Sequence, residues 1–100
     1  MAEYRLRPKA RADLKEIWFW TDATFSERQA DAYLAALRRE FVRLSDDPQR
    51  GQGADEAKPG YRKARHGRHI VIFVRTSFGV EIVRVLHQNM NIPAHLKDDE

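Results

Sequence analysis

Cysteine is absent from this sequence of 100 residues, and long apolar runs are absent as well. Without cysteine the chain can have no disulfide, thiolate zinc site, iron–sulfur cluster or cysteine nucleophile. No segment approaches the roughly 20 apolar residues that span a bilayer, and the first twenty residues lack the apolar region of a signal peptide. We therefore expect a cytoplasmic protein with no membrane partner.

Motifs that carry catalysis or bind metal are scarce. The histidines show neither helical i, i+4 pairing nor an H-E-x-x-H frame; they are His66, His69, His87 and His95. The sequence also lacks a glycine-rich phosphate loop, a G-x-S-x-G elbow and glycosidase-like paired carboxylates. We predict no metal site and no cofactor, and the remaining features favour binding.

The length and composition are those of one domain. Hydrophobic residues make up 42% and charged residues 33% of the chain, enough to fill one core and coat it with charge. Two cores in a chain this short would each bury too little apolar surface. We predict a single domain over residues 1–100, ending in a polar tail at 88–100.

Positive charge is concentrated in the last third of the chain. Residues 1–59 balance eleven Lys/Arg against eleven Asp/Glu, whereas residues 60–95 hold six cations against Glu81 alone. The six are Arg62, Lys63, Arg65, Arg68, Arg75 and Arg84. This asymmetry favours an acidic partner, either nucleic acid or an acidic protein segment, but a solvated basic sheet face would give the same count. Direct nucleic-acid binding stays open.

Hydrophobic periodicity predicts two helices after a short strand. Residues 3–7 alternate as an edge strand does, and Pro8 suits the first position of a helix that runs to about residue 23. Ser26 and Gln29 form a capping box that begins a second helix, which ends near Ser45. Because only two residues separate the helices, we predict an antiparallel hairpin.

The second half of the sequence predicts a β-sheet. Residues 46–60 have the composition of a loop, and strands follow at 61–66, 69–76 and 80–87 as a three-stranded antiparallel meander. The fold class is therefore α+β, with the hairpin covering one sheet face. The predicted core contacts are Leu14, Trp18, Leu34, Leu37, Phe41, Val71 and Phe73.

Strand parity places Arg84 and His87 on opposite faces. If Ile82 and Leu86 share a face with Arg84, its guanidinium needs a carboxylate, a phosphate or the sheet edge. The plain alternative is an ion pair with a helix acid such as Glu16 or Asp31. His87 is either an acid/base group or a hydrogen-bonded strand end.

Three segments carry a resemblance to a known family: YRLRPKARADLKEIWFW, YRKARHGRHIVIFVR and, most specifically, IVRVLHQNMNIPAHL. With the element order, they make the chain similar to the RelE/ParE superfamily of toxins from type II toxin–antitoxin systems, ParE in particular. ParE-like toxins inhibit DNA gyrase and trap it with cleaved DNA, whereas RelE-like relatives cut mRNA in the ribosome. The resemblance implies a cognate ParD-like antitoxin, a ribbon-helix-helix DNA-binding protein encoded by the neighbouring reading frame.

The resemblance also assigns candidate residues. Arg84 matches the last-strand arginine of the RNA-cleaving relatives, but His87 or Gln88 stands where they place a terminal tyrosine. This departure favours a toxin without catalytic residues that binds gyrase. The alternative is an mRNA endonuclease that uses His87 with Arg84, Arg68 and Lys63.

Two binding surfaces are expected. The target-binding residues are Arg65, Arg84, His87, Met90, Ile92, Pro93 and Leu96, and the antitoxin-binding residues are Trp18, Tyr33, Leu37, Arg62 and Arg68. Because the tail at 88–100 follows the last strand, we expect the hairpin and sheet to fold without it.

Overall fold

The computed structural model describes residues 3–47 and 49–96. Its elements are β1 (Glu3–Leu6), α1 (Pro8–Thr24), α2 (Glu27–Asp46), β2 (Gln52–Gly53), β3 (Arg62–His66), β4 (His69–Arg75), β5 (Gly79–His87) and α3 (Ile92–Leu96). The predicted α+β fold, with a strand, a helical hairpin and an antiparallel meander, is confirmed. No helix within these two ranges is long and apolar enough to cross a membrane.

The helical hairpin forms as its capping residues predict. The Ser26 hydroxyl accepts a hydrogen bond from the backbone N–H of Gln29 at 3.1 Å, which satisfies one of the free N–H groups at the start of α2. The backbone N–H of Phe25 bonds to the carbonyl of Thr21 at 2.8 Å and closes α1. The chain therefore reverses within two residues.

The sheet has five strands in the order β1-β5-β4-β3-β2. Strands β3, β4 and β5 form the predicted meander, and β1 joins β5 in parallel. Gly79 permits this approach, because its φ is +145° and a Cβ there would lie 2.1 Å from the Glu3 carbonyl oxygen. The predicted loop at 46–60 is wrong in one respect, since Gln52 and Gly53 pair with β3 as β2.

The hairpin covers one face of the sheet with the main core. Among its buried residues are Leu14, Ile17, Leu34, Leu37, Phe41, Val71, Phe73, Val80, Ile82 and Val85, and the half-buried Trp18 packs against them. All seven predicted core contacts belong to this cluster.

A second, smaller core covers the opposite sheet face. Its buried residues are Ala54, Tyr61, Ile72, Val83, Leu86 and Leu96. The expectation of a free tail is therefore wrong for the described residues up to 96, because α3 places Leu96 in this core with no exposed surface. Residues 97–100 of the predicted tail lie outside the described residues. A sheet with apolar side chains on both faces needs a cover on each, and α3 supplies part of the second.

Candidate functional site

A buried ion pair occupies the edge of β5. Because β1 ends at Leu6, the last residues of β5 have no neighbouring strand on that side among residues 3–47 and 49–96. The Asp13 carboxylate, from α1, accepts hydrogen bonds from Nε and Nη2 of Arg84 at 2.8 and 2.9 Å, and from the backbone N–H of Val85 at 2.9 Å. Nη1 of Arg84 donates to the His95 carbonyl in α3 at 3.0 Å. Arg84 thus joins the hairpin, the sheet and the tail.

A β-bulge interrupts the alternation of β5 between Ile82 and Arg84. The register from Arg84 to His87 is regular and keeps these two residues on opposite faces, as predicted. Ile72 pairs with Arg84 and Phe73 pairs with Ile82, which leaves Val83 as an extra residue in β5. Ile82 consequently lies in the main core and Leu86 in the second core, so they do not share a face. The ion pair given as the alternative role of Arg84 does form, but its partner is Asp13 and not Glu16 or Asp31.

Lys63 and Arg65 in β3 point away from the helices, and both are paired. Ala64 faces the main core, so its neighbours Lys63 and Arg65 project from the opposite face. Lys63 bonds to the Glu56 carboxylate at 2.8 Å, and Arg65 donates to the side-chain oxygen of Gln88. Strand β3 lies two places from β5, about 10 Å by ordinary strand spacing. Lys63, Arg65 and Arg84 are each bound to a different partner, namely Glu56, Gln88 and Asp13.

The two remaining basic candidates differ in exposure. The half-buried Arg62 donates from Nη2 to the Gln49 carbonyl at 2.8 Å and holds the segment before β2. Arg68 lies exposed in the turn between β3 and β4, next to Gly67, whose φ of +56° favours glycine. A Cβ at Gly67 would come within 2.7 Å of the Tyr33 hydroxyl.

Histidine rings line the helix side of the sheet where β4 begins and β5 ends. His69 pairs with His87 across the strands, their ring centroids 5.7 Å apart, and Nδ1 of His69 lies 2.7 Å from the Tyr33 hydroxyl. Burial, with further contributions from the charges of His87 and His66, lowers the pKa of His69 to about 4. His69 is therefore neutral at physiological pH. Burial also raises the pKa of the Tyr33 phenol, which stays protonated.

His87 is held as a strand end. Its Nδ1 accepts a hydrogen bond from the backbone N–H of Asn89 at 3.2 Å. This places the proton of the neutral ring on Nε2. Of the cations named for the RNA-cleaving alternative, Arg68 lies near His87, whereas Arg84 is engaged by Asp13 and Lys63 by Glu56.

An aromatic cleft opens beside these histidines, and we call it the Trp20 cleft. It has a volume of about 280 Å³ and a mainly apolar lining of Asp13, Glu16, Ile17, Trp20, Arg68, His69, Val85, His87 and Met90. A smaller depression of about 200 Å³ continues from it past Phe25 and Tyr33 and shares Trp20, Arg68 and His69. Trp20 is not among the site residues predicted from the sequence. The available signal was the run Trp18-Phe19-Trp20, because three consecutive aromatic residues cannot all lie on one face of a helix.

A second depression, the hairpin groove, lies between α1, α2 and β1. Its volume is about 570 Å³, and its lining consists of Leu6, Arg11, Leu14, Lys15, Trp18, Asp31, Leu34 and Arg38. The indole N–H of Trp18 donates to the Asp31 carboxylate at 2.8 Å, which fixes one wall. Three cations and one engaged carboxylate give the groove a positive rim. The i, i+4 spacing of Arg11 and Lys15 was the sequence signal for this positive rim, because it places both cations on one face of a helix.

The structure brings some predicted partner residues to the surface and buries others. Met90 and Pro93 are exposed, whereas Ile92 is half-buried against the second core. Leu37 has no exposed surface, so it is not available to an antitoxin, and Leu96 is equally unavailable to a target. Trp18 and Tyr33 are half-buried. Within residues 3–47 and 49–96, no group of three or more His, Asp or Glu side chains is placed to hold a metal ion.

Comparison with known sequences identifies close relatives over almost the whole chain. Residues 4–92 match the family described as the ParE toxin of the type II toxin–antitoxin system parDE. Toxin ParE1 of Caulobacter vibrioides is 40% identical over 96 residues, covering 96% of this chain and 99% of that protein. Toxin ParE1 of Mycobacterium tuberculosis is 38% identical, covering 95% and 98%.

Solved structures share the fold at lower identity. The chromosomal ParDE toxin–antitoxin system of P. aeruginosa contains a chain that superposes with a TM-score of 0.73 at 19% identity, covering 87% of this chain and 96% of that one. The toxin–antitoxin complex RelBE2 of Mycobacterium tuberculosis gives a TM-score of 0.66 at 24% identity, covering 86% and 96%. These two likenesses concern the fold.

Proposed function

This chain belongs to the ParE toxin family of type II toxin–antitoxin systems, and from that membership we propose that it inhibits DNA gyrase by binding and is neutralised by a cognate antitoxin. The observation that carries the binding mechanism is the engagement of Arg84 by Asp13. Phosphodiester cleavage needs an acid/base and a cationic clamp that converge on one phosphate. Here the last-strand arginine bonds instead to the Asp13 carboxylate of the hairpin and to a backbone carbonyl of α3.

The target-binding surface in this proposal surrounds the end of β5. Met90 and Pro93 are exposed there, His87 lines the Trp20 cleft, and Arg65 lies exposed on β3 beside Gln88. Exposed apolar side chains next to cations suit a protein surface with acidic residues. Arg84, Ile92 and Leu96 support this surface from below through the ion pair and the second core.

The antitoxin in this proposal is a ParD-like protein whose acidic, apolar segment lies along the hairpin. The hairpin groove supports this assignment because Arg11, Lys15 and Arg38 surround an apolar floor. Such a rim attracts an acidic segment and speeds its association, whereas buried aliphatic contacts set the lifetime of the complex. Trp18, Tyr33, Arg62 and Arg68 are the predicted contacts that reach the surface.

A paired assay tests the proposed target. Purified protein is added to gyrase with relaxed plasmid and, separately, to ribosomes carrying mRNA. We expect loss of supercoiling with trapped, cleaved DNA, and intact mRNA. Cleavage of ribosome-bound mRNA with normal supercoiling would establish the endonuclease alternative instead.

The antitoxin is tested with the product of the neighbouring reading frame. Coexpression should restore growth, and its association rate with the toxin should fall as salt increases. An association rate independent of salt would refute the electrostatic part of the proposal.

A further inference from the structure

The Trp20 cleft combines an apolar floor with unusually exposed apolar walls. Ile17 and Val85 form the buried floor, whereas Trp20 is 55% exposed and Met90 is 43% exposed. Phe25, also 56% exposed, meets Trp20 edge to face with ring centroids 6.0 Å apart and continues the wall. Large apolar side chains exposed together mark a surface that a partner covers.

The size of the cleft sets the size of its occupant. Its volume of about 280 Å³ lies just below the range of about 300–1,000 Å³ typical of small-molecule pockets. The cleft therefore has room for one large aliphatic or aromatic side chain. A cleft of this shape therefore suits a single anchoring side chain of a protein partner.

The charges around the floor disfavour a nucleic acid. His69 is neutral at physiological pH because burial lowers its pKa to about 4. Asp13 faces the cleft as a carboxylate already engaged by Arg84, and Glu16 adds a negative charge at the same end. A phosphate chain would meet these acids, whereas an apolar side chain would not.

The rim of the cleft carries a cation at one end and a carboxylate at the other. Arg68 lies exposed on the side of the β3–β4 turn, and Glu16 lies on α1 at the other end. A carboxylate of the occupant would pair with Arg68, and a neutral or basic residue would face Glu16. A second copy of this chain fits less well, because Arg68 and His87 belong to the strongly basic segment 60–95, which would repel its own copy.

We propose that the Trp20 cleft is an anchoring site for one large apolar side chain of the antitoxin, flanked in the antitoxin sequence by an acidic residue that pairs with Arg68. This inference rests on the proposed function, since it specifies where and by what chemistry the antitoxin binds. Occupation would also cover His87 and Met90, which belong to the predicted target surface.

The test measures the dissociation constant between the product of the neighbouring reading frame and the full-length toxin. Trp20→Ala should weaken binding at least about thirtyfold, the scale of an interface hot spot. Phe19→Ala is the matched control, because Phe19 is adjacent on α1 and 64% exposed but does not line the cleft; its effect should stay within about threefold. Arg68→Glu should weaken binding about tenfold, and a charge reversal in the antitoxin should restore it.

The outcomes separate this inference from the proposed function. Circular dichroism of each variant shows whether it folds, and Trp20→Phe provides a milder variant should Trp20→Ala unfold. If the unchanged toxin binds and the Trp20 and Phe19 variants bind equally well, the cleft assignment is wrong although the antitoxin proposal stands. If the unchanged toxin does not bind, both are wrong. Loss of single-stranded DNA binding or of self-association in Trp20→Ala, with antitoxin binding intact, would give the cleft to another occupant.

Discussion

Asp13 and Arg84 stand 71 residues apart in sequence and form a two-bond ion pair at 2.8 and 2.9 Å on the open edge of the sheet. Asp13 also accepts the Val85 N–H, so one carboxylate satisfies both a buried cation and an unpaired strand group. The pair explains how an arginine can stand between Val83 and Val85 in β5. The pair also gives a structural role to Arg84, which matches the arginine that would hold a phosphate in an RNA-cleaving relative.

Replacing Asp13 by Ala should destabilise the protein strongly. The variant leaves the Arg84 guanidinium buried without its carboxylate and the Val85 N–H without an acceptor, so we expect a loss of about 3–5 kcal/mol in the free energy of unfolding. Urea denaturation measures this. Glu3→Ala is the control, because its ion pair with Arg5 is exposed and should contribute at most about 1 kcal/mol. Equal losses in the two variants would contradict the burial of the pair.

The β-bulge in β5 and the short helix α3 could not be predicted from the sequence. Periodicity predicts the helices and their core because positions such as Leu34 and Leu37 repeat every three or four residues. One extra residue at Val83 barely alters an apolar alternation, yet it moves every later side chain of β5 to the other face. A helix of five residues, as in α3, is too short to show a period at all.

The candidate site, too, could be predicted only in part from the sequence. Residue types and strand ends identify His87, Arg68 and Met90 as candidates from sequence alone. Which acid meets Arg84, and that Trp20 from α1 stands beside Met90, depend on how the hairpin is placed over the sheet edge. That placement results from packing between segments distant in sequence, which no local pattern encodes.

Phe41→Ala should destabilise the protein by removing a side chain from the main core. Phe41 has no exposed surface and its ring lies 5.3 Å from that of Tyr4, so truncation leaves a cavity under β1. We expect a loss of about 3–5 kcal/mol in chemical denaturation. Val42→Ala, at the neighbouring exposed position, should change stability by no more than about 0.5 kcal/mol. A stable Phe41 variant would refute the hairpin packing.

Leu96→Ala should show that the tail belongs to the fold. Leu96 is fully buried in the second core, so we expect a loss of about 2–5 kcal/mol and a lower melting temperature. Deletion of residues 88–100 should destabilise the protein for the same reason, contrary to the sequence-based expectation. His95→Ala, with an exposed side chain in the same short helix, is the control and should melt almost unchanged.

His69 should make stability fall on acidification. Its folded pKa of about 4 is below the ordinary value of 6.5, so the unfolded chain binds its proton first as pH falls. The stabilisation that depends on neutral His69 is complete above pH 6.5 and decreases as pH falls from 6.5 towards 4. His69→Phe should flatten the stability profile in that window relative to the unchanged protein. A His69 imidazole that titrates near 6.5 by NMR would contradict this.

His87→Ala should reduce gyrase inhibition far less than the loss of a catalytic group would. His87 accepts a backbone hydrogen bond from Asn89, and two cations of the RNA-cleaving alternative are engaged elsewhere, Arg84 by Asp13 and Lys63 by Glu56. Losing an essential acid/base commonly lowers a rate by about 10² to 10⁴. For a contact residue we expect the inhibitory concentration in a supercoiling assay to rise no more than about tenfold. Met90→Ala, which removes an exposed apolar anchor nearby, should have at least as large an effect. If His87→Ala abolishes growth arrest while gyrase binding persists and Met90→Ala is neutral, proton transfer by His87 replaces binding as the mechanism.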